Sequence, residues 1–303
     1  MKLYAPKYYT DFKCIADRCA HSCCIGWEID IDDVTMQKYA SLPHPYADTV
    51  RASIEHGDTP YFRLKSHDRC PHLNSKNLCN IILNLGDDCL CDICREHPRF
   101  YNDSSLGREV GLGIACEEAC RIVLNSDDYA LVPVGETDTD VCASEYDTVS
   151  CRERIYSILS DVSQSHSDKL TKIQCEFNAS ADCITDEEAR NLIDSFEFLD
   201  ESHRERFTVY SGKSKLDASL DPTLDRLLAY FVFRHCTEEC DESTYRAALC
   251  TCLFLKQLFV SVASFENAKD ENALIEIART VSEETEYSET NTEALKLEFL
   301  FRQ

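Results

Sequence analysis

Nine of the nineteen cysteines in this 303-residue chain fall between residues 14 and 94, and no other feature limits its possible folds so sharply. They begin with Cys14, Cys19 and the adjacent pair Cys23-Cys24, and Cys116 and Cys120 follow soon after. Thiols at this density close disulfides, clamp zinc or hold an iron–sulfur cluster, and each option requires different surroundings. A disulfide scaffold belongs to a short secreted chain behind a signal peptide. The opening MKLYAPKYYTDFKC is polar and aromatic, with no apolar leader. The cysteine number is odd, and a chain this long can bury a core without staples. The expectation is a reduced, cytoplasmic protein whose thiols bind metal.

The spacing narrows the choice of metal. The series runs Cys14-x4-Cys19-x3-Cys23-Cys24, then Cys70, Cys79, Cys89, Cys91, Cys94, Cys116 and Cys120. Adjacent cysteines are strained as disulfide partners and serve better as ligands. A zinc ribbon shows two Cys-x2-Cys knuckles. Here only Cys91-x2-Cys94 qualifies. Iron–sulfur clusters accept more scattered thiolates, including a remote one. The Cys-x3-Cys-x2-Cys of radical S-adenosylmethionine enzymes fails twice, with Gly26 after Cys19 and Cys23 and Val123 after Cys116 and Cys120. The short Gly111-Leu112-Gly113 is no dinucleotide fingerprint, and no Gly-x-Ser-x-Gly elbow occurs.

Charge is unevenly placed. Up to Asn125 there are 14 Lys+Arg against 18 Asp+Glu, which leaves 17 against 37 beyond it. A net of −20 on the distal part repels phosphate, so nucleic acid is excluded as a partner. It favours a basic partner or a lysine-bearing substrate, unless the acids are simply solvated helix faces. Glu283, Glu284 and Glu286 are candidate members of such an acidic patch. No run of about 18 apolar residues reads as a membrane span.

The expected fold is mainly α: an irregular, metal-stitched cysteine-rich N-terminal domain over 1–125, then an all-α C-terminal domain over 148–303. Between them, 125–147 is rich in turn formers and acids. Trp27–Asp33 alternates as a short strand would, and Val34–Leu42 reads as a helix stopped by Pro43. In the distal part, Ser150 with Glu153 and Thr185 with Glu188 fit capping boxes. Asp221-Pro222 opens a helix carrying Leu224, Leu227, Leu228, Phe231 and Val232. Further helices are expected over 243–263, 271–284 and 289–301, the first packing antiparallel on its predecessor.

The ordered motifs resemble a known family. YYTDFKCIADRCAHSCCIGWEIDID, from Tyr8 to Asp32, is similar to the opening of the flagellin lysine-N-methylases, which share a zinc- or iron-chelating cysteine-cluster domain with a larger group of proteins. The likeness continues through Cys70-Pro71-His72-Leu73, Asn77-Leu78-Cys79, Leu85-Gly86, Cys94-Arg95-Glu96-His97-Pro98-Arg99 and Glu109 to Cys116. Tyr230-Phe231-Val232-Phe233-Arg234-His235 resembles a distal aromatic-Arg-His helix. The resemblance implies metal ligands at Cys14, Cys19, Cys23, Cys24, Cys70, Cys79, Cys94 and Cys116. It also implies an iron–sulfur cluster (4Fe-4S, with zinc as the alternative) and methyl transfer from S-adenosylmethionine to lysines of flagellin or a similar surface protein. The chain departs from the pattern at His97, where an aromatic is usual, and in the extra thiols Cys89, Cys91 and Cys120. Eight thiolates exceed the four that one cluster needs, so a second centre stays open.

Single residues divide between packing and chemistry. Trp27 is a core residue or a wall beside Cys23-Cys24. His72 and His97 are possible replacement ligands. Arg95 and Arg99 are possible carboxylate forks. Arg234 needs either an acidic partner or a cleft, because an unpaired charge on an apolar helix is costly. The scattered distal cysteines, Cys250 and Cys252 among them, read as small hydrophobes. The catalytic base and the methyl-donor site are not legible. The rival readings are a non-catalytic zinc- or iron-binding or metal-delivery module and, less favoured, a redox sensor at Cys91-x2-Cys94.

Overall fold

The structure, a computed structural model, describes residues 1–138, 146–237 and 241–302. It is mainly helical, with 56% helix and a small sheet. The strands are β1 (Lys2–Pro6), β2 (Ile54–His56), β3 (Pro60–Phe62), β4 (Arg99–Ser104), β5 (Gly107–Leu112) and β6 (Leu131–Glu136). The proximal helices are α1 (Asp33–Ser41), α2 (Pro45–Ala52), α3 (Asn80–Leu85), α4 (Asp92–Glu96) and α5 (Glu117–Leu124). The distal ones are α6 (Thr148–Leu159), α7 (His166–Phe177), α8 (Asp186–Asp194), α9 (Arg204–Phe207), α10 (Asp221–His235), α11 (Glu242–Phe265), α12 (Glu271–Glu286) and α13 (Glu289–Leu300).

Two compact units result. One is residues 13–99; the other joins residues 1–12 to 100–303. The division follows pairing rather than composition. β1 lies inside the sheet β4-β5-β1-β6, parallel to β5 and antiparallel to β6, so the first residues belong with the helical part of the chain. β6 occupies the stretch expected to be a linker. Its Pro133 cannot donate to a ladder, yet it is accommodated because β6 is an edge strand and the register shifts between Leu3 and Tyr4 opposite it. Cys142 and Cys240 lie outside the described residues.

In the larger unit α10 and α11 carry the core. Leu227, Leu228, Phe231, Val232, Leu249, Phe254, Leu255, Leu258 and Phe259 are buried there with Leu112, Ile114 and Ala119. Asp241 caps α11 by accepting from Thr244 N at 2.8 Å. α11 is long and apolar enough to cross a membrane by length and composition, but 83% of its apolar window is buried within the protein, as befits a core helix. Thr185 and Glu188 form the expected capping box of α8. Ser150 does not cap α6. Asp147 does, accepting from Ser150 N at 3.0 Å, so α6 begins at Thr148 and Ser150 falls within its first turn.

The smaller unit has its own core of Ile29, Ile31, Tyr39, Val50, Ile54, Phe62, Leu73 and Ile81, together with Cys70, Cys89 and Cys91. The Trp27–Asp33 stretch forms no regular strand. It lies extended along β3, with Phe62 N bonded to Ile29 O at 3.0 Å and Ile31 N to Pro60 O at 2.8 Å.

Candidate metal centre

Short backbone pairings, not long elements, bring the thiols of the smaller unit together. Residues 24–26 run against 68–70, with Cys70 N on Cys24 O at 2.9 Å, Gly26 N on Asp68 O at 3.0 Å and a bridge between Ile25 and Arg69. Gly26 has φ +83°, the left-handed region that L side chains avoid, so glycine permits this turn. Asn74 then folds the chain back. Its Oδ1 accepts from Lys76 N and Leu78 N, and Asn77 adopts φ 56°. The return brings Leu73 to Cys79 and bonds Asn80 N to His72 O at 2.8 Å. Cys79 is the N-cap of α3 and Cys91 that of α4. Cys94 follows three residues on, where helical spacing returns it to the same face as Cys91.

As a result Cys24, Cys70, Cys79, Cys91 and Cys94 stand within electrostatic reach of one another. Burial pushes the Cys70 thiol up to about 12, with Cys24 and Cys79 adding to it, and burial raises Cys79 as well. The Cys24 thiol is held down to about 7 by its hydrogen bond to Cys23, against burial and with help from Ser22 and the Arg69 charge. Cys91 and Cys94 hydrogen-bond each other, which favours the thiolate at Cys91 and the thiol at Cys94. Five thiols crowded this way cannot all ionise unless a cation compensates them.

Of the eight cysteines expected as ligands, the structure places Cys24, Cys70, Cys79 and Cys94 in this group. Cys14 and Cys23 are exposed, and Cys19 is half-buried with its Sγ on His21 O at 3.0 Å. Cys116 caps α5 in the other unit, and Cys120 lies in that unit's core. Cys91 was not among the expected ligands, although its x2 spacing from Cys94 was the available signal. Cys89 lends its carbonyl to the buried Tyr39 hydroxyl at 2.7 Å. His72 is fully buried, with Nδ1 2.9 Å from Tyr46 Oη and Nε2 2.9 Å from Ser53 Oγ, so both ring nitrogens are occupied and it serves as a brace. Arg95 pairs with Asp92 and Glu96, and Arg99 donates to Arg95 O at 3.2 Å. The charge that faces a thiol belongs to Arg69, which sequence gave no reason to select.

An all-thiol donor set suits zinc or an iron–sulfur cluster. Among the described residues, three ligand atoms lie within 4.8 Å of one another only at His203, Glu283 and Glu284.

The His203 group is already satisfied from within. Glu284 accepts from His203 Nδ1 at 2.7 Å, Asp200 N at 3.1 Å and Leu199 N at 2.7 Å, while Glu283 pairs with Arg279 at 2.6 Å. Glu286 is also internal. Its fully buried carboxylate accepts from Tyr230 Oη and His235 Nε2, each at 2.8 Å, and from Ser282. Burial alone would raise its pKa, but Arg234, His235 and Ser282 outweigh burial and hold it below the usual carboxylate range. These three acids are therefore no surface patch. Arg234 has its acidic partner in Glu286, with Nε 3.7 Å from the carboxylate, and its guanidinium lies 4.1 Å from the centre of the Phe100 ring.

Comparison with known proteins gives distant likenesses. The chain is 26% identical over 130 residues, 41% of its length, to the flagellar biosynthetic protein FliU of Salmonella muenchen, covering 77% of that protein. It is also 26% identical over 130 residues to the lysine-N-methylases of Salmonella choleraesuis and Salmonella typhimurium, covering 32% of each. The chain thus matches about a third of the methylases' length. No family model and no solved structure matches.

Proposed function

We propose that this protein is a protein-lysine N-methyltransferase that acts on flagellin or a similar surface protein, with S-adenosylmethionine as donor and an iron–sulfur cluster in residues 13–99. The reading rests on the gathering of Cys24, Cys70, Cys79, Cys91 and Cys94 by local backbone pairings, together with the distant lysine-N-methylases. These five thiolates are the ligands we favour, and Cys14, Cys19 and Cys23 are close enough in sequence to supply a further one. The cluster would clamp chain segments that share only a small apolar core. S-adenosylmethionine would supply an electrophilic methyl group. The protein's part is to admit the lysine, strip its proton by desolvation or a nearby base, and align the neutral amine. The protein is read as cytoplasmic, acting on its substrate before export.

The test is anaerobic purification with iron, zinc and sulfide analysis, followed by transfer of labelled methyl groups to flagellin. Iron and sulfide in matched amounts with label on lysine support the proposal. Zinc without sulfide, and no transfer, would leave a metal-binding or metal-delivery module. That second reading is favoured by the lack of a recognisable methyl-donor motif.

A further inference from the structure

The larger unit holds a cleft where α5 ends and α10 and α12 begin. Its volume is about 210 Å³, against the ~10–15 Å³ that a single water requires. The tyrosine-lined space beside it, which shares Arg226, is about 10 Å³ and admits no more than one water. Three leucines share the lining of the larger cleft with Thr223, Arg226, Lys269 and Glu271. Apolar wall with a few polar groups is the usual make-up of a small-molecule site. We propose that this cleft binds the zwitterionic head of an α-amino acid with an apolar chain, either the free amino acid or the methionine end of S-adenosylmethionine. Only the second source rests on the methyltransferase reading.

The charges in the cleft decide the class of ligand. Beyond Asn125 acids outnumber bases 37 to 17, yet two bases and one acid line this cleft. Arg226 is already committed. Its Nε donates to Asp127 Oδ1 at 2.7 Å and its Nη1 to Leu124 O at 2.9 Å. That leaves one charge of each sign, on Lys269 and Glu271. Lys269 Nζ makes no hydrogen bond or ion pair among the described residues. Glu271 is held at one oxygen: Asn125 Nδ2 donates to its Oε1 at 2.7 Å and also to Arg121 O at 2.8 Å. This fixes the carboxylate and leaves Oε2 with no hydrogen bond among the described residues. A simple anion would meet Glu271 and a simple cation Lys269, so each is opposed where a zwitterion is welcomed by both. Lys269 pairs with the α-carboxylate and Glu271 with the α-ammonium. The Thr223 hydroxyl offers a further hydrogen bond, and the leucines cover the apolar chain.

The test is equilibrium binding of three probes to the whole protein: L-methionine, S-adenosylhomocysteine (the donor without its methyl group) and adenosine. Methionine, S-adenosylhomocysteine or both should bind. Adenosine lacks the head and should bind at least about tenfold more weakly than whichever of them does. Lys269→Glu and Glu271→Lys, both at exposed positions, should each weaken that binding at least about tenfold. Methionine bound without S-adenosylhomocysteine makes the ligand a free amino acid, and the reverse makes it the end of the methyl donor. No binding of either, adenosine bound as tightly as S-adenosylhomocysteine, or binding that either variant leaves unchanged overturns the proposal. S-adenosylhomocysteine bound equally by the wild type and both variants would place the donor elsewhere and leave the methyltransferase reading standing.

Discussion

At the scale of single residues, the larger unit spends its buried charges in pairs. Arg152 forks onto Glu109 at 2.8 and 2.5 Å with both side chains buried, and Glu109 also accepts from Ser104 at 2.7 Å. Asp225 holds both His166, at 2.7 Å, and Lys169. Lys256 is different. It is 6% exposed and makes a single 3.3 Å contact with Gln257 Oε1, and burial lowers its pKa from 10.5 to about 8. Between about pH 8 and 10.5 the unfolded chain holds this proton and the folded protein does not, so wild-type stability gains as pH rises through that window. Lys256→Met should accordingly stabilise the protein at pH 7, by up to roughly 3 kcal/mol, and the advantage should vanish by about pH 10.5. Denaturant midpoints of both proteins at several pH values measure this, and a pH-independent difference would contradict it. The Arg152–Glu109 pair and the Asp225 pairs could not be read from the sequence, because each joins residues far apart along the chain. The need of Arg234 for a partner was legible, but its identity, Glu286, was not.

At the scale of elements, signals confined to a few residues were legible in part, and pairings across the chain were not. The capping box of α8 depends on neighbours in sequence and stands where the sequence puts it, whereas Asp221, which read as the N-cap before Pro222, is the first residue of α10 and does not cap it. The sheet depends on β1 finding β5 and β6 from across the chain, and Pro133 and Gly135 disguise β6 as a turn. Gly111 shows the same division. It was dismissed as a cofactor loop, and its role is spatial: a Cβ there would stand 2.3 Å from the Phe100 ring and 2.6 Å from that of Phe233. Gly111→Ala should therefore destabilise the larger unit by about 1–3 kcal/mol, measured by thermal unfolding, while metal content stays unchanged. The thiol group allows a matching test in the smaller unit. Serine at Cys70, Cys91 or Cys94 should cost bound metal, whereas serine at Cys120 or Cys252, both in the core of the larger unit, should not. Equal metal loss from both sets would show that the cysteines are wrongly divided.

At the scale of the molecule, the acidity has to be reassigned. With Glu283, Glu284 and Glu286 engaged internally, the acids able to attract a lysine-rich substrate are exposed ones such as Glu289 and Glu293. On the proposed reading, methylation of flagellin should weaken with added salt, mainly through the Michaelis constant. Glu289→Lys with Glu293→Lys should act in the same direction, and salt-insensitive kinetics would make the acidity a solubility device. The two units should also part under stress. Chelation should loosen residues 13–99 while protection of α10 and α11 against hydrogen exchange persists. The place of β1 has one more consequence, which concerns the order of events at the ribosome. The cysteine-rich stretch is complete once Arg99 has emerged, and on the proposed reading it could then take up metal. The first strand, made before any cysteine, stays unpaired until β5 and then β6 arrive, some hundred residues later. β1 is thus among the last segments to settle, and a nascent chain arrested near residue 100 would display the folded 13–99 unit beside an unpaired β1.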